Sequence, residues 1–171
     1  MINKKWLIPM VIIFVVIFLS ASICSAQDDE FARRTLKGLT GVKIVIGDLF
    51  PVLKEGGLTE DQIRTDVELK LRMAGIRVLS NEEWPSGLLP YLYVRVYGSK
   101  SEIGFVAINI YIGLKQDIIL TRNPLISSEA FTWSTEYTGH VGVKKITIIR
   151  ESIKDLVDEF LNAYLSVNPK K

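Results

Sequence analysis

The sequence predicts an α+β fold, a two-layer sandwich in which two helices cover one side of a mixed four- to five-stranded sheet. Three observations carry this. Residues 60–74 and 149–165 place apolar side chains at helical spacing. Several shorter segments alternate apolar with polar or aromatic residues. The elements follow the order β-α-β-β-β-β-α, and successive strands near the end favour hairpins.

The first strand is marked by Val42, Ile44 and Ile46, which alternate with Lys43, Val45 and Gly47. Such a strand buries mainly one face. Asp48-Leu49-Phe50-Pro51 ends it, and Gly56-Gly57 turns the chain. A helix start follows. Thr59 and Gln62 stand at capping-box spacing, and Glu60 and Asp61 suit the positive end of the helix dipole. Ile63, Val67, Leu71 and Ala74 form its apolar face. Gly75 fits the left-handed position past the helix end, with Ile76 closing it through an apolar contact. Residues 76–79 make a short strand, and the first β-α-β unit is expected to be a right-handed crossover.

Residues 81–89, with Pro85 and Gly87, form a loop. The segment from Tyr91 to Tyr97 alternates aromatic or charged residues with aliphatic ones, as a strand does, and Gly98-Ser99-Lys100-Ser101 has the chemistry of a turn. The longest pattern comes next. Val106, Ile108, Ile110, Ile112, Leu114, Ile118 and Leu120 share one parity, and Asn109, Tyr111, Lys115 and Asp117 share the other. That is a long strand with one dry face, in which Gly104 and Gly113 mark bends or a bulge. Arg122-Asn123-Pro124 breaks it. Phe131, Trp133, Thr135 and Tyr137 alternate with Thr132, Ser134, Glu136 and Thr138 in a further strand. Gly139-His140-Val141-Gly142 reads as a flexible loop. The closing helix carries Ile149, Ile153, Leu156, Phe160 and Tyr164 on one face, and Asn168-Pro169 stops it.

The N-terminus points to export. Lys4 and Lys5 precede a nearly continuous apolar run over residues 7–19, followed by the mostly small residues Ser20-Ala21-Ser22-Ile23-Cys24-Ser25-Ala26. This is the layout of a secretory signal peptide. Small residues at Cys24 and Ala26 place the cut between Ala26 and Gln27. Two other fates compete. An uncleaved segment would anchor the chain in the inner membrane, since its length is near the minimum for a span. Lipidation at Cys24 would anchor it by acyl chains, although Ile23 is bulky for the position before a lipidated cysteine. The expected organisation is therefore a signal peptide over 1–26, a lead-in over 27–40 that packs weakly, a single α+β domain over 41–168, and a tail over 169–171. Membrane contact is expected only if the N-terminal segment is retained.

Charge and cysteine content exclude whole classes of function. The 171 residues include 21 basic and 19 acidic ones. Removing Lys4 and Lys5 with the leader leaves them in formal balance, so no nucleic-acid partner is expected, because that binding rests on neutralising phosphates. Cleavage also removes Cys24, the single cysteine, and with it any disulfide or thiol chemistry.

No catalytic constellation emerges. His140 is the only histidine, and without cysteine it cannot build a His/Cys metal site. Ser127-Ser128 lies outside any nucleophile-elbow motif and reads as turn residues. Gly38 and Gly41 lack the lysine of a phosphate-binding loop. Asp155, Asp158 and Glu159 fit a solvated helix face. Lys144, Lys145 and Arg150, with Arg33, Arg34 and Lys37, are candidates for a basic patch. Glu82-Glu83 beside Trp84 is the one carboxylate pair with the character of a sugar-binding loop. No cofactor and no metal are expected.

The aromatic parities stand out. Tyr91, Tyr93 and Tyr97 line one face of one strand, and Phe131, Trp133 and Tyr137 line one face of another. An uncovered face of this kind would be an interaction surface, with Tyr91, Tyr93, Tyr97, Trp133 and Tyr137 as its candidate residues.

The order of elements, together with export, is similar to the N-terminal domain of the TolB translocation protein and to lipoprotein activators of penicillin-binding proteins. The likeness covers most of residues 41–168 and is one of topology. The phrases Val67-Glu68-Leu69-Lys70-Leu71-Arg72-Met73-Ala74-Gly75-Ile76 and Phe160-Leu161-Asn162-Ala163-Tyr164-Leu165-Ser166-Val167-Asn168-Pro169 resemble a group of uncharacterised exported bacterial proteins. The leading expectation is an exported, periplasmic, non-enzymatic module that binds another envelope protein or a cell-wall component. The alternative is a periplasmic hydrolase or small-ligand-binding protein using Glu82 and Glu83.

Overall fold

The structure is a computed structural model that describes residues 30–83, 90–102 and 104–169. The leader with Cys24, the cut between Ala26 and Gln27, and Trp84 lie outside the described residues. The elements are α1 (Glu30–Arg34), β1 (Gly41–Ile46), α2 (Pro51–Glu55), α3 (Glu60–Met73), β2 (Arg77–Val78), β3 (Tyr91–Lys100), β4 (Phe105–Leu120) and β5 (Asn123–Gly142). A 3₁₀ turn over Val143–Ile148 leads into α4 (Ile149–Val167). The predicted α+β class holds. The five strands lie in the order β2-β1-β3-β4-β5. β1 runs parallel to both β2 and β3, and β4 is antiparallel to β3 and to β5.

Both ends of α3 follow local rules. The Thr59 hydroxyl accepts from the Gln62 N–H while the Gln62 side chain accepts from the Thr59 N–H, which satisfies two otherwise unpaired donors. At the other end Gly75 has φ +86°, and the Ile76 N–H donates to the Leu71 carbonyl at 2.9 Å.

The core lies between the helices and one face of the sheet. Val42 and Ile44, Leu92 to Val96 at alternate positions, and Val106 to Leu114 at alternate positions are all buried. Ile63, Val67 and Leu71 of α3 and Leu156, Phe160 and Leu161 of α4 pack against them. Phe160 meets Trp133 edge-on, with ring centroids 5.3 Å apart. No helix among the described residues is long and apolar enough to cross a membrane.

Asp66 on α3 and Arg150 on α4 tie the two long helices together. Arg150 donates from Nε and a terminal nitrogen to the two carboxylate oxygens, at 2.7 and 2.8 Å. This bond holds the Asp66 pKa below its ordinary value of 3.8, against the opposing effect of burial. A carboxylate with a lowered folded pKa stabilises the fold above its unfolded pKa and loses that contribution as pH falls. Asp66→Asn should therefore cost about 1.5–3 kcal/mol at pH 7, the range for hydrogen bonds to charged groups. Thermal melting from pH 7 to pH 3 checks this. The variant should lose less stability than the parent as pH falls through the carboxylate range, and equal losses would show that the pair contributes nothing.

Several stretches differ from expectation, each because of a tertiary contact. The lead-in packs firmly: Leu36 is fully buried, and Ala32 is buried beside it. Asn168, expected only to stop a helix, clamps this segment. It accepts from the Gly38 N–H and donates to the Leu36 carbonyl. The expected turn at Gly98-Ser99-Lys100-Ser101 is strand as far as Lys100, paired with β4, and the Gly104 N–H donates to the Ser101 carbonyl. Gly98 serves a close approach instead. A Cβ there would come within 2.8 Å of the Leu53 side chain of α2. Pro124 does not end a strand either. Thr121-Arg122 is a two-residue turn with Leu120 paired to Asn123, and β5 tolerates the proline as an edge strand. Ser127-Ser128 and Gly139 to Gly142, both read as loops, are paired residues of β5.

The β4–β5 hairpin outruns the sheet. β3 pairs with β4 only as far as Lys115, so beyond it β4 and β5 pair with each other alone. This two-stranded arm exposes Ile119, Leu125 and Ile126. Gln116 anchors its base, donating to the Thr35 carbonyl and to the Thr132 hydroxyl.

Candidate functional site

The groups considered for catalysis do not converge. Among the described residues no set of three His, Cys, Asp or Glu side chains could hold a metal ion. His140 is not a loop residue. It lies on β5 opposite Ala107, with its ring 5.8 Å from Phe105. The Glu83 carboxylate accepts from Arg77 and from the Ser80 N–H, while the Glu83 N–H donates to the Ser80 hydroxyl. These bonds, the Ser80 backbone first and Arg77 next, lower its pKa. An ionised carboxylate closing a turn is not poised as a general acid, and Glu82 beside it is exposed.

The basic patch also dissolves. Lys37 lies beside Gly38, which is bonded to Asn168 at the end of α4, whereas Lys144 and Lys145 precede its start. Nineteen residues of helix separate them, about 28 Å at the usual rise. Arg150 is engaged with Asp66, and Arg34 with Glu30.

The sheet itself carries the candidate surface. Its buried residues share one parity, so Tyr91, Tyr93, Arg95 and Tyr97 on β3 and Asn109, Tyr111 and Lys115 on β4 project from the face opposite the helices. Tyr93 and Phe131 have ring centroids 6.1 Å apart, and Phe131 meets Tyr111 edge-on at 5.4 Å. Lys115 Nζ lies 5.7 Å from the Tyr91 centroid and 6.0 Å from that of Phe131. The Arg95 guanidinium lies 5.7 Å from the Tyr111 centroid. Tyr97 packs on Phe50 at 4.3 Å.

Two glycines make room for this floor of rings. A Cβ at Gly113 would meet the Phe131 ring at 2.7 Å and the Tyr111 hydroxyl at 2.8 Å. One at Gly47 would meet the Tyr93 hydroxyl at 2.8 Å. The rings therefore lie down against backbone. Burial raises the Tyr111 pKa, offset in part by a hydrogen bond with Ser134 and by Arg95. Lys115 is held protonated by its bonds to Glu129 and Tyr91, so its pKa is raised.

Of the five aromatic residues singled out, Tyr91, Tyr93 and Tyr97 share the open face. Trp133 does not. It is 1% exposed and packs on Phe160 under the helices. A shift in register causes the split: Leu114 pairs with Trp133, but Lys115 pairs with Phe131, leaving Thr132 as an extra residue. This bulge turns Phe131 to the open face. Tyr137 pairs with Ile110 on the helix-facing parity, 45% exposed at the margin, with its hydroxyl over Gly139. Tyr111, Phe131, Arg95 and Lys115 join the surface instead. Tyr111 was legible from its parity opposite Ile110 and Ile112; Phe131 was not.

Fold and surface together define an α+β sandwich whose sheet, among the described residues, has one covered face and one open aromatic face. No family model matches the chain, and no curated protein matches it significantly. The likeness to TolB and to penicillin-binding-protein activators therefore rests on element order alone. Among solved structures the chain is similar to a minor lipoprotein from Acinetobacter baumannii, with TM-score 0.36 and 10% identity, over 76% of this chain and 94% of that one. A likeness at that TM-score carries no argument about function.

Proposed function

We propose that the chain is an exported, periplasmic, non-enzymatic module that binds a protein partner of the cell envelope through the open face of its sheet. Export follows from the leader-like residues before Gln27. The observation that carries the binding reading is the face that no described residue covers, where Tyr91, Tyr93, Tyr97, Tyr111 and Phe131 lie among Arg95 and Lys115. Tyrosine, phenylalanine and arginine are the residues that protein interfaces enrich, and rigid aromatic rings supply most of the binding energy where they occur. That composition favours a protein over a cell-wall glycan.

Photo-cross-linking in cells tests this. A cross-linking amino acid at Tyr93 or Tyr97 should capture the same protein. One at Leu69 or Met73, exposed on the helix layer, should capture none. Tyr93→Ala and Arg95→Ala should each weaken binding of the captured partner at least tenfold with the chain still folded, and Tyr137→Ala should leave it unchanged. Capture from Leu69 alone, or adducts with peptidoglycan alone, would overturn the reading.

A further inference from the structure

A second site stands on independent observations at the other edge of the sheet. β2 contributes only Arg77–Val78, paired with Gly41 and Val42. The Leu79 N–H donates to the Val42 carbonyl, and there the pairing of β1 on this side ends among the described residues. Lys43 and Gly47 donate their N–H groups toward β3. By the alternation of a parallel ladder, the N–H and C=O groups of Ile44 and Ile46 point the other way, to the open edge. The Arg64 guanidinium donates to the Ile44 carbonyl at 3.0 Å, and no other backbone partner meets this stretch among the described residues.

The edge faces a cleft of about 640 Å³ between β1 and α3. Its charged lining is Lys43, Arg64, Glu68 and Arg72, and Ser80 and Asn81 line it as well. Three cations face one carboxylate. The balance is not neutralised locally, because two of the cations are held by neutral acceptors. Lys43 donates to the Asn81 side-chain oxygen, and Arg64 to a backbone carbonyl. Arg72 is 3.5 Å from Glu68 and largely exposed. Glu68 thus answers Arg72 and leaves the charges of Lys43 and Arg64 available to a ligand.

We propose that this cleft binds an extended acidic peptide segment, which adds as a short strand to the edge of β1 beyond Val42 and places a carboxylate between Lys43 and Arg64. The Ile44 N–H and the N–H and C=O of Ile46, unpaired among the described residues, supply the main-chain hydrogen bonds of strand addition, and the excess positive charge selects the acidic side chain. The helix along one wall and the short β2 limit the guest to a few residues.

The test uses the mature chain and a labelled hexapeptide of alternating valine and aspartate. Expected are saturable binding and shifts of the Ile44 and Ile46 amide resonances. Replacing the three aspartates by asparagine, or N-methylating the residues that face β1, should weaken binding at least tenfold. Lys43→Gln and Arg64→Gln should each do the same, with the chain still folded. Equal affinity for the asparagine peptide, indifference to N-methylation, or shifts confined to the Tyr93–Phe131 face would overturn the proposal. Displacement of the peptide by millimolar inorganic phosphate with no loss on N-methylation would overturn it as well, as the mark of a simple anion site.

Discussion

Replacing Phe160 with alanine is expected to destabilise the chain by about 3–5 kcal/mol, the range for truncating a fully buried phenylalanine. Phe160 is fully buried on α4, where it packs edge-on against Trp133 beneath the sheet. Urea unfolding of the parent and variant measures the loss. A value under about 1 kcal/mol would mean that the helix presents a different face to the sheet. Trp133→Ala should be comparably severe. The two losses should fall short of additive by about 0.5–1.5 kcal/mol, because each truncation alone already breaks the ring pair.

The second large effect is a contrast between near neighbours. Trp133→Ala should cost about 3–5 kcal/mol, whereas Phe131→Ala should cost only about 0.5–1.5 kcal/mol, the worth of its contacts with Tyr93 and Tyr111. Simple alternation would place both rings on one face and make their losses similar. The extra Thr132 in the pairing with Leu114 and Lys115 separates them. Phe131 is 43% exposed, while Trp133 is nearly inaccessible. Equal losses in the two variants would remove the bulge, and with it the place of Phe131 on the open surface.

The two long helices were legible because their signals are local, whereas the short α2 over Pro51–Glu55 was read only as a strand end and a turn. The Thr59–Gln62 box, the Gly75 cap and the apolar spacing of α3 and α4 each involve residues within a turn or two. The parity of β4 was equally plain, and it already separated Tyr111 and Lys115 from the buried aliphatic series. Strand ends were not legible. Gly98 and Pro124 carry turn chemistry, yet Gly98 yields room to Leu53 and Pro124 lies on an edge strand where no donor is missed. Loop signals state what the backbone tolerates, and pairing with a long neighbour decides what it does.

The sequence by itself determined the order of the five strands and two long helices, the mixed sheet, and the apolar stripes that cover one of its faces, since burial must follow periodicities of two and 3.6 residues. Only the tertiary structure decided which aromatic rings meet. The face of Phe131 depends on two residues of β5 opposing one step of β4. The burial of Leu36 depends on Asn168, 132 positions along the chain. The edge cleft depends on how soon β2 leaves β1. None of these is a property of a local window; each is fixed by residues far apart in sequence that must satisfy the same hydrogen bonds and fill the same space.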